Sequence, residues 1–209
     1  MNKNFIAVDT SGSYLTVVAG KAGKFYSVSI PDCSMKHSVS VLPAVDEVLK
    51  KADMTLDECD FFAAVVGAGS FTGIRIGISV IKGFCLAYGK PALPITSFDV
   101  AAYNSFDSEK LLCLVDALHD AYYVCGYEKG KVVYSPAYLT EEEVLSLKGE
   151  GYALCGVGKL PVSEKAEVLS ADPIEGLKNA VCVKAERGEF GELTALYVRK
   201  SSAELNLEK

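Results

Sequence analysis

Apolar segments separated by short polar or glycine-containing turns make up the first half of the chain. Continuous apolar runs such as Phe5–Asp9 are typical of buried strands, and from Ser38 onward the apolar positions take the period of a helix. A glycine-rich run follows the next apolar segment and leads into a helix that Gly89 and Pro91 end. The pattern predicts the order β-β-β-α-β-α, with strands at 5–9, 15–19, 25–30 and 61–66 and helices at 38–52 and about 74–88.

The second half repeats this plan and also begins with an apolar strand that ends in aspartate. Thr140 and Glu143 form a capping box, which predicts the start of a short helix. The two halves share the order of their elements and the aspartate that ends the first strand, rather than sequence identity. The predicted elements are strands at 111–116, 121–127, 132–139 and 152–157, helices at 140–148 and 174–187, and a last extended or helical piece at 195–200.

This repeat predicts an α/β fold of two related lobes that meet at a cleft. We place an N-terminal lobe with partner-binding helices at 1–103 and a smaller C-terminal lobe at 104–209, because the segment around 100–108 is polar. A single large α/β sheet is the alternative, and it fits the repeat less well. The length of 209 residues suits one large domain or two of about 100 residues.

Composition and charge narrow the class of protein. The seven cysteines are odd in number and never spaced as C-x-x-C, which favours reduced thiols in a cytosolic protein over disulfides or a zinc site. The first residues have no apolar run of signal-peptide length, and no run of 18 apolar residues occurs, so we expect a cytoplasmic protein with no membrane span. The net charge of -6 argues against RNA binding by the chain alone, so contact with tRNA would require a basic partner.

The glycine-rich run is GAGSFTGIRIG, residues 67–77, at the exit of a strand and the entrance of a helix, where phosphate is often bound. Its spacing has one residue too many for G-x-G-x-x-G, and it lacks the Gly-Lys-Ser/Thr ending of a P-loop. A serine nucleophile at Ser70 would need a base, and neither His37 nor His119 is placed near it by the sequence. The histidines also lie too far apart for a helix-borne metal pair. We therefore predict no catalytic residue and no metal site, and we interpret His37 as the start of a helix.

The turn after the first strand of each half would face the cleft. Asp9, Thr10 and Ser11 offer a carboxylate, two hydroxyls and turn amides, as a phosphate or magnesium site needs. Asp116 offers only its carboxylate, because the next two residues are apolar. In the alternative interpretation, both aspartates close turns by accepting hydrogen bonds from backbone amides.

The helix at about 74–88 is apolar on nearly all sides. One face can pack on its own sheet, while Ile76, Val80, Gly83 and Ala87 form a second face. An exposed apolar strip of this kind indicates a protein interface, and Gly83 would allow another helix to approach closely. Burial of this face beneath the second lobe is the alternative.

Five segments of the chain resemble the bacterial TsaB (YeaZ) family. They are FIAVDTS near the start, HSVSVLP from His37, the GAGSFTGIRIG run, the strand that ends at Asp116, and Tyr197-Val-Arg199. The resemblance spans nearly the whole chain, and the combination of the HS-x(4)-P helix with the later glycine run is specific. Two departures from the family pattern are Ala68, where the family has proline, and Leu118, where it has arginine. Ala68 removes the φ restriction that proline would place on the turn but keeps the glycines. Leu118 removes an arginine, which puts any site in the second lobe in doubt.

The resemblance implies an actin-like ATPase (ASKHA) fold and a non-catalytic scaffold, an inactive paralogue of the catalytic subunit TsaD. It further implies pairing with a TsaD-like subunit and a TsaE-like ATPase, for threonylcarbamoyl transfer to N6 of the adenosine 3′ of the anticodon in tRNAs reading ANN codons. The chain alone would form a homodimer and reach tRNA only through the complex. No cofactor would be tightly bound, ATP would be used by the TsaE-like partner, and the resemblance leaves room for a nucleotide at the complex interface.

The apolar helix face and the resemblance together assign an interface to the first lobe. We interpret GAGSFTGIRIG as the remnant of a nucleotide-fold loop that positions the interface helix, with Ser70 or Thr72 capping it and Arg75 available for a contact across the interface. Asp9, Thr10 and Ser11 would form a vestigial cofactor site. The predicted interface residues are His37, Val41, Val45, Val48, Ser70, Phe71, Thr72, Arg75, Ile76, Ser79, Val80 and Gly83.

Three competing functions differ in what they require of the chain. A nucleotide-dependent small-molecule kinase of the same superfamily would need ATP binding, and a peptidase-like enzyme would need the histidine pair that this sequence lacks. Autonomous RNA binding would need salt-dependent affinity for tRNA.

Overall fold

The computed structural model describes residues 1–104 and 108–199. The elements of the first lobe are β1 (Phe5–Asp9), β2 (Leu15–Lys21), β3 (Lys24–Ile30), α1 (His37–Ala52), β4 (Phe61–Val65), α2 (Phe71–Tyr88), β5 (Ala92–Ile95) and α3 (Ser97–Ala102). The first four strands and the first two helices follow the predicted order, and β5 and α3 come after them. The sheet order is β3-β2-β1-β4-β5, with β1 parallel to β4 and antiparallel to β2.

The elements of the second lobe are β6 (Lys110–Asp116), β7 (Ala121–Glu128), β8 (Lys131–Thr140), α4 (Glu141–Gly149), β9 (Ala153–Val157), a 3-10 turn (Pro161–Glu164), β10 (Val168–Ala171) and α5 (Pro173–Glu186). Its five strands form a second sheet with the corresponding order, β10-β9-β6-β7-β8. Two separate sheets confirm the predicted repeat, and the single-sheet alternative is wrong. The predicted last element at 195–199 has neither strand nor helix structure, and Lys200 lies outside the described residues.

Helix α2 begins at Phe71 rather than near residue 74 because Ser70 caps it. The Ser70 hydroxyl accepts a hydrogen bond from the Gly73 amide at 3.2 Å, and Gly89 ends the helix in the left-handed conformation. The predicted capping box at Thr140 and Glu143 is confirmed at the start of α4. All seven cysteines are free thiols, as their spacing predicted.

Helices from each half of the chain pack on the sheet of the other half. Leu177 and Val181 of α5 pack on the first sheet against Phe5 and other β1 and β4 residues. In return, Phe98 of α3 packs with Cys113 and other residues of the second sheet. The predicted boundary between residues 103 and 104 therefore divides the sequence into two halves, but each half contributes a helix to the core of the other. Residues 105–107 of the predicted polar boundary lie outside the described part of the structure.

Asp99 joins α3, the second sheet and α5. Its carboxylate accepts hydrogen bonds from the Thr96 amide at 2.8 Å and the Tyr127 hydroxyl at 2.9 Å, and it pairs with the Lys184 ammonium at 3.3 Å. Burial is the main cause that raises the pKa of Tyr127, and the Asp99 charge adds to it. The Tyr127 hydroxyl therefore acts as a neutral donor to a buried carboxylate.

We expect Asp99→Ala to lower the free energy of unfolding by about 3 kcal/mol. It removes the buried carboxylate that accepts from Tyr127 and Lys184, leaves Lys184 paired only with the more exposed Glu189, and removes one half of the α3 capping box. Tyr127→Phe removes only one hydrogen bond and should cost about 1 kcal/mol. Urea unfolding of both variants checks this. Equal, small losses for the two would show that Asp99 does not join the elements energetically.

Candidate docking surface and interlobe cleft

The glycines of GAGSFTGIRIG bring the start of α2 against the turn after β1. A Cβ atom at Gly73 would lie under 3.0 Å from the Thr10 carbonyl oxygen, and one at Gly69 would lie equally close to the Ser11 carbonyl oxygen. In return, the Ser70 amide donates to the Ser11 carbonyl at 2.7 Å, and the Thr10 hydroxyl donates to the Gly73 carbonyl at 2.7 Å. The glycine spacing is thus explained by close packing of backbone on backbone.

The predicted cofactor residues are buried and have internal partners. The Asp9 carboxylate accepts from the Ser11 amide at 2.8 Å, the Ser11 hydroxyl at 2.7 Å and the Tyr14 hydroxyl at 3.1 Å. Asp9 and Thr10 have no exposed surface, and Ser11 is 2% exposed. This geometry matches the alternative interpretation of the sequence, in which Asp9 closes a turn by accepting a hydrogen bond from a backbone amide. In this conformation Asp9 and Thr10 offer no open ligand position, and Ser11, which lines the cleft, has its hydroxyl hydrogen-bonded to Asp9 and Ser97.

Burial is the main cause that raises the pKa of Asp9 above its usual value, and its three hydrogen bonds and the His37 charge offset part of that rise. The native state therefore keeps the Asp9 proton to higher pH than the unfolded chain does. Its contribution to stability is fully present below the unfolded pKa of about 3.9 and is lost as pH rises through the native pKa.

We expect Asp9→Asn to remove this pH-dependent contribution while keeping an oxygen that accepts from Ser11. The stability of the wild type relative to the variant should then fall as pH rises from about 4. Urea unfolding of both proteins between pH 4 and 8 measures the difference in their free energies of unfolding. The contributions of the other titrating groups cancel in this difference. A difference that stays constant with pH would contradict the raised pKa.

The cleft between the lobes has a volume of about 820 Å³. Asp116 lies on its second-lobe wall, where its carboxylate accepts from the Leu118 amide at 2.7 Å and so closes its turn. The exposed polar groups on the walls include the Ser13 and Ser70 hydroxyls and the Lys159 ammonium. A cofactor in the cleft would therefore meet these side chains rather than Asp9 or Thr10.

A second depression lies on the outer side of the first lobe, between α1 and α2, with a volume of about 450 Å³. We call it the α1–α2 groove. Its walls are apolar apart from hydroxyl groups and one guanidinium. The lining residues are Ser38, Val41 and Leu42 of α1 and Phe71, Thr72, Arg75, Ile76, Ser79 and Val80 of α2.

The apolar surface continues beyond the groove at both ends. Met35 is 94% exposed and Val39 70% exposed beside the start of α1, and Leu86 is 86% exposed near the end of α2. Gly83 lies between the groove and Leu86, is exposed, and has open space where a Cβ would project. Such a continuous apolar surface marks a site of protein interaction.

The predicted interface residues of α2 lie at this surface. Six of them line the groove, Ser70 is exposed at the N-terminal cap of the helix, and Gly83 is exposed further along. The resulting face runs along most of α2. Tyr197 contacts this face at Phe71 and Arg75, while Thr72, Ser79 and Gly83 remain exposed along it.

The predicted residues of α1 are placed differently, and the structure corrects that part of the surface. His37, Val41, Val45 and Val48 are buried, and the three valines belong to the core beneath the helix. Only Val41 also contacts the groove. His37 does begin α1, as predicted, and its Nε2 lies 3.0 Å from the Tyr14 carbonyl oxygen. The outward side chains near the start of α1, which the prediction missed, include Ser38 and Leu42 in the groove and the exposed Val39 beside them.

Arg75 is held in place within the chain. Its guanidinium lies over the Phe71 ring, 3.7 Å from the centroid, and its Nε donates to the Tyr197 hydroxyl at 2.8 Å. The Phe71 and Tyr197 rings stack with their centroids 4.9 Å apart. The amide of Leu196, the residue before Tyr197, donates a hydrogen bond to the Val66 carbonyl at 2.7 Å. This bond holds the C-terminal segment against the first lobe. No local pattern in the sequence indicates this partnership.

Helix α2 meets the length and composition criteria for a membrane-spanning helix, although we expected no span from the sequence. Helices packed on the core of soluble domains meet the same criteria, and Ile74, Ile78 and Ile81 of α2 pack on the first sheet. Other apolar residues of α2, such as Ile76 and Val80, are only partly buried against the core, and Leu86 is almost fully exposed.

Two matched five-stranded sheets with helices on their faces define an actin-like ATPase (ASKHA) fold. The (R)-2-hydroxyglutaryl-CoA dehydratase component A of Acidaminococcus fermentans shares the fold, with a TM-score of 0.50 and 10% identity over 88% of this chain and 98% of that one. The structure of YeaZ from Pseudomonas aeruginosa matches more closely, with a TM-score of 0.80 and 26% identity over 93% of this chain and 99% of that one. A second structure, described as an uncharacterized protein with similarity to peptidase YeaZ from Pseudomonas aeruginosa, matches with a TM-score of 0.81 and 26% identity over 94% and 100% of the two chains.

The model of the family described as TsaD, tRNA N6-adenosine threonylcarbamoyltransferase, matches residues 30–198, and the chain belongs to that family. The tRNA threonylcarbamoyladenosine biosynthesis protein TsaB of Buchnera aphidicola subsp. Baizongia pistaciae is 28% identical over 171 residues, 76% of each chain. The TsaB of Buchnera aphidicola subsp. Schizaphis graminum is 30% identical over 120 residues, 56% of this chain and 57% of that one. This chain therefore matches little more than half the length of the latter relative. These similarities confirm the resemblance to TsaB (YeaZ) that the sequence motifs predicted.

Proposed function

We propose that this chain is a non-catalytic scaffold subunit in the synthesis of threonylcarbamoyladenosine in tRNA. It pairs with a TsaD-like catalytic subunit and, with a TsaE-like ATPase, supports threonylcarbamoyl transfer to N6 of the adenosine 3′ of the anticodon in tRNAs reading ANN codons. The single observation that carries the proposal is the exposed apolar surface of α1 and α2, which an isolated domain has no reason to keep. The similarity to named TsaB proteins supplies the pathway.

The partner-binding surface is the α1–α2 groove with its extensions at Val39 and Leu86. Burying these side chains against a partner removes apolar area from water, which is the main driving force of association. In the absence of the partner, the same surface pairs two copies of this chain as a homodimer. Docking at the start of α2 also places the partner next to the cleft, because Phe71 lines both depressions.

In this role the chain performs no chemical step of its own. Supporting this, Asp9 and Thr10 use their polar groups internally. ATP is used by the TsaE-like partner, and a nucleotide at the interface of the complex would be held jointly. The net charge of -6 supports contact with tRNA through the partners in the cytoplasm rather than by this chain.

Sedimentation velocity of the purified chain, mixed with the TsaD-like subunit of the same organism, tests the proposal. We expect a heterodimer at micromolar concentrations, and the mixture should sediment as one species when the two are equimolar. The isolated chain should bind ATP weakly or not at all in a calorimetric titration. No complex, together with tight ATP binding by the chain alone, would favour the kinase alternative.

A further inference from the structure

The α1–α2 groove carries a single charge. Of its nine lining residues, four bear aliphatic side chains, one is aromatic, three bear hydroxyls, and only Arg75 is ionised at neutral pH. An apolar groove that contains one cation is complementary to an apolar segment that contains one anion. The charge pattern therefore limits what kind of occupant fits.

The Arg75 guanidinium is fixed in orientation but not neutralised. Its Nε is occupied by the Tyr197 hydroxyl, and the Phe71 ring lies beneath it. Among residues 1–104 and 108–199, no carboxylate lies within ion-pair distance of Arg75, although nine other ion pairs are formed. Its two terminal nitrogens therefore remain as a planar pair of donors on an exposed side chain, which matches the two oxygens of a carboxylate.

We propose that the α1–α2 groove binds an apolar segment of the partner that carries one carboxylate, and that this carboxylate pairs with the terminal nitrogens of Arg75. The inference rests on the proposed function, since it names the chemistry of the segment that docks in the same groove. A side-chain carboxylate is favoured over a nucleic-acid phosphate because the surrounding walls are aliphatic and the chain has a net charge of -6.

Tyr197 is the positioning residue for this contact. By holding Nε and stacking on Phe71, it keeps the guanidinium over the start of α2 before the partner arrives. A side chain that is already ordered loses less conformational entropy on binding. Tyr197→Phe keeps the ring stack but removes the hydroxyl, so it isolates the effect of the hydrogen bond.

Titration of the full chain with the cognate TsaD-like subunit at low and high salt tests the proposal. Arg75→Gln should weaken binding by about tenfold or more and flatten its salt dependence, because the ion pair is lost. The affinity of Arg75→Lys should lie between those of the wild type and Arg75→Gln. Tyr197→Phe should weaken binding by about threefold, on the scale of one net hydrogen bond, and should leave the melting temperature unchanged. Lys82→Gln is the matched control on α2, exposed but outside the groove, and should change binding by less than about twofold.

Three outcomes separate this inference from the proposed function. If Arg75→Gln binds the TsaD-like subunit as the wild type does while Ile76→Asp does not bind, the carboxylate contact is wrong and the docking site stands. If both bind normally, the docking site itself is wrong. If Arg75→Gln weakens only self-association of this chain, the occupant is a second copy, and the inference about the partner is overturned.

Discussion

Replacing both Ile76 and Val80 by aspartate is expected to reduce affinity for the TsaD-like subunit by at least about 100-fold. The two side chains lie one helical turn apart on the groove wall of α2, so both would be buried by a docked partner. Burying an unpaired carboxylate in an apolar interface costs several kcal/mol, and each 1.4 kcal/mol is a factor of about ten in the dissociation constant. Isothermal titration with the purified partner measures the loss.

The matched control is Val132→Asp with Val133→Asp on β8. These two valines are 54% and 51% exposed, so they allow the same chemical change outside the groove. The control pair should bind the partner as the wild type does. Ile76 and Val80 also contact the core beneath α2, so the melting temperatures of the variants and the wild type are compared to detect a loss of stability. Leu42→Asp changes a half-exposed residue of the groove and provides a second test of binding. Wild-type affinity in both groove variants would show that α2 is not the docking helix.

Gly73→Ala is expected to lower the free energy of unfolding by about 3 kcal/mol or more, and to do so without touching the exposed groove. The added methyl carbon would lie under 3.0 Å from the Thr10 carbonyl oxygen, and that oxygen belongs to the buried turn after β1. Backbone on both sides of the contact must move, which is the costly form of overpacking. Chemical denaturation with a far-ultraviolet readout measures the change.

Gly83→Ala is the control on the same helix. Nothing lies within 4 Å of the place where its Cβ would project on the exposed side of α2, so alanine should stabilise the chain by up to about 1 kcal/mol through its higher helix propensity. The same substitution should weaken partner binding if the partner approaches α2 closely at this point. Similar stability of the Gly73 and Gly83 variants would refute the packing explanation of the glycine run.

The fold was largely predictable because its main strands are long, apolar and repeated in the same order in both halves. Strands β5 and β10 were missed, since each has four residues and no distinct period, and β5 contains Pro94. Helix α3 has six residues and lies in a segment that is polar in part. The packing of α5 on the first sheet depends on contacts with strands far away in the sequence, such as the contact of Leu177 with Phe5, which the local pattern does not contain.

The candidate site was predictable on α2 and less so on α1. Helix α2 is apolar on two sides, so the sequence indicates that one side lies outside the core. On α1 the valines at helical spacing, Val41, Val45 and Val48, form the stripe that packs on the sheet, whereas Val39 and Leu42 lie outside this stripe and are exposed. Arg75 and Tyr197 are 122 positions apart, so only the folded chain brings them together.

The scaffold role is tested most directly by threonylcarbamoyl transfer to tRNA by the cognate TsaD-like and TsaE-like proteins, with the threonylcarbamoyl adenylate supplied. We expect modification when the wild-type chain is present, none from the chain alone, and a strong loss when the Ile76→Asp, Val80→Asp variant replaces it. Equal modification with and without the chain would contradict the scaffold role.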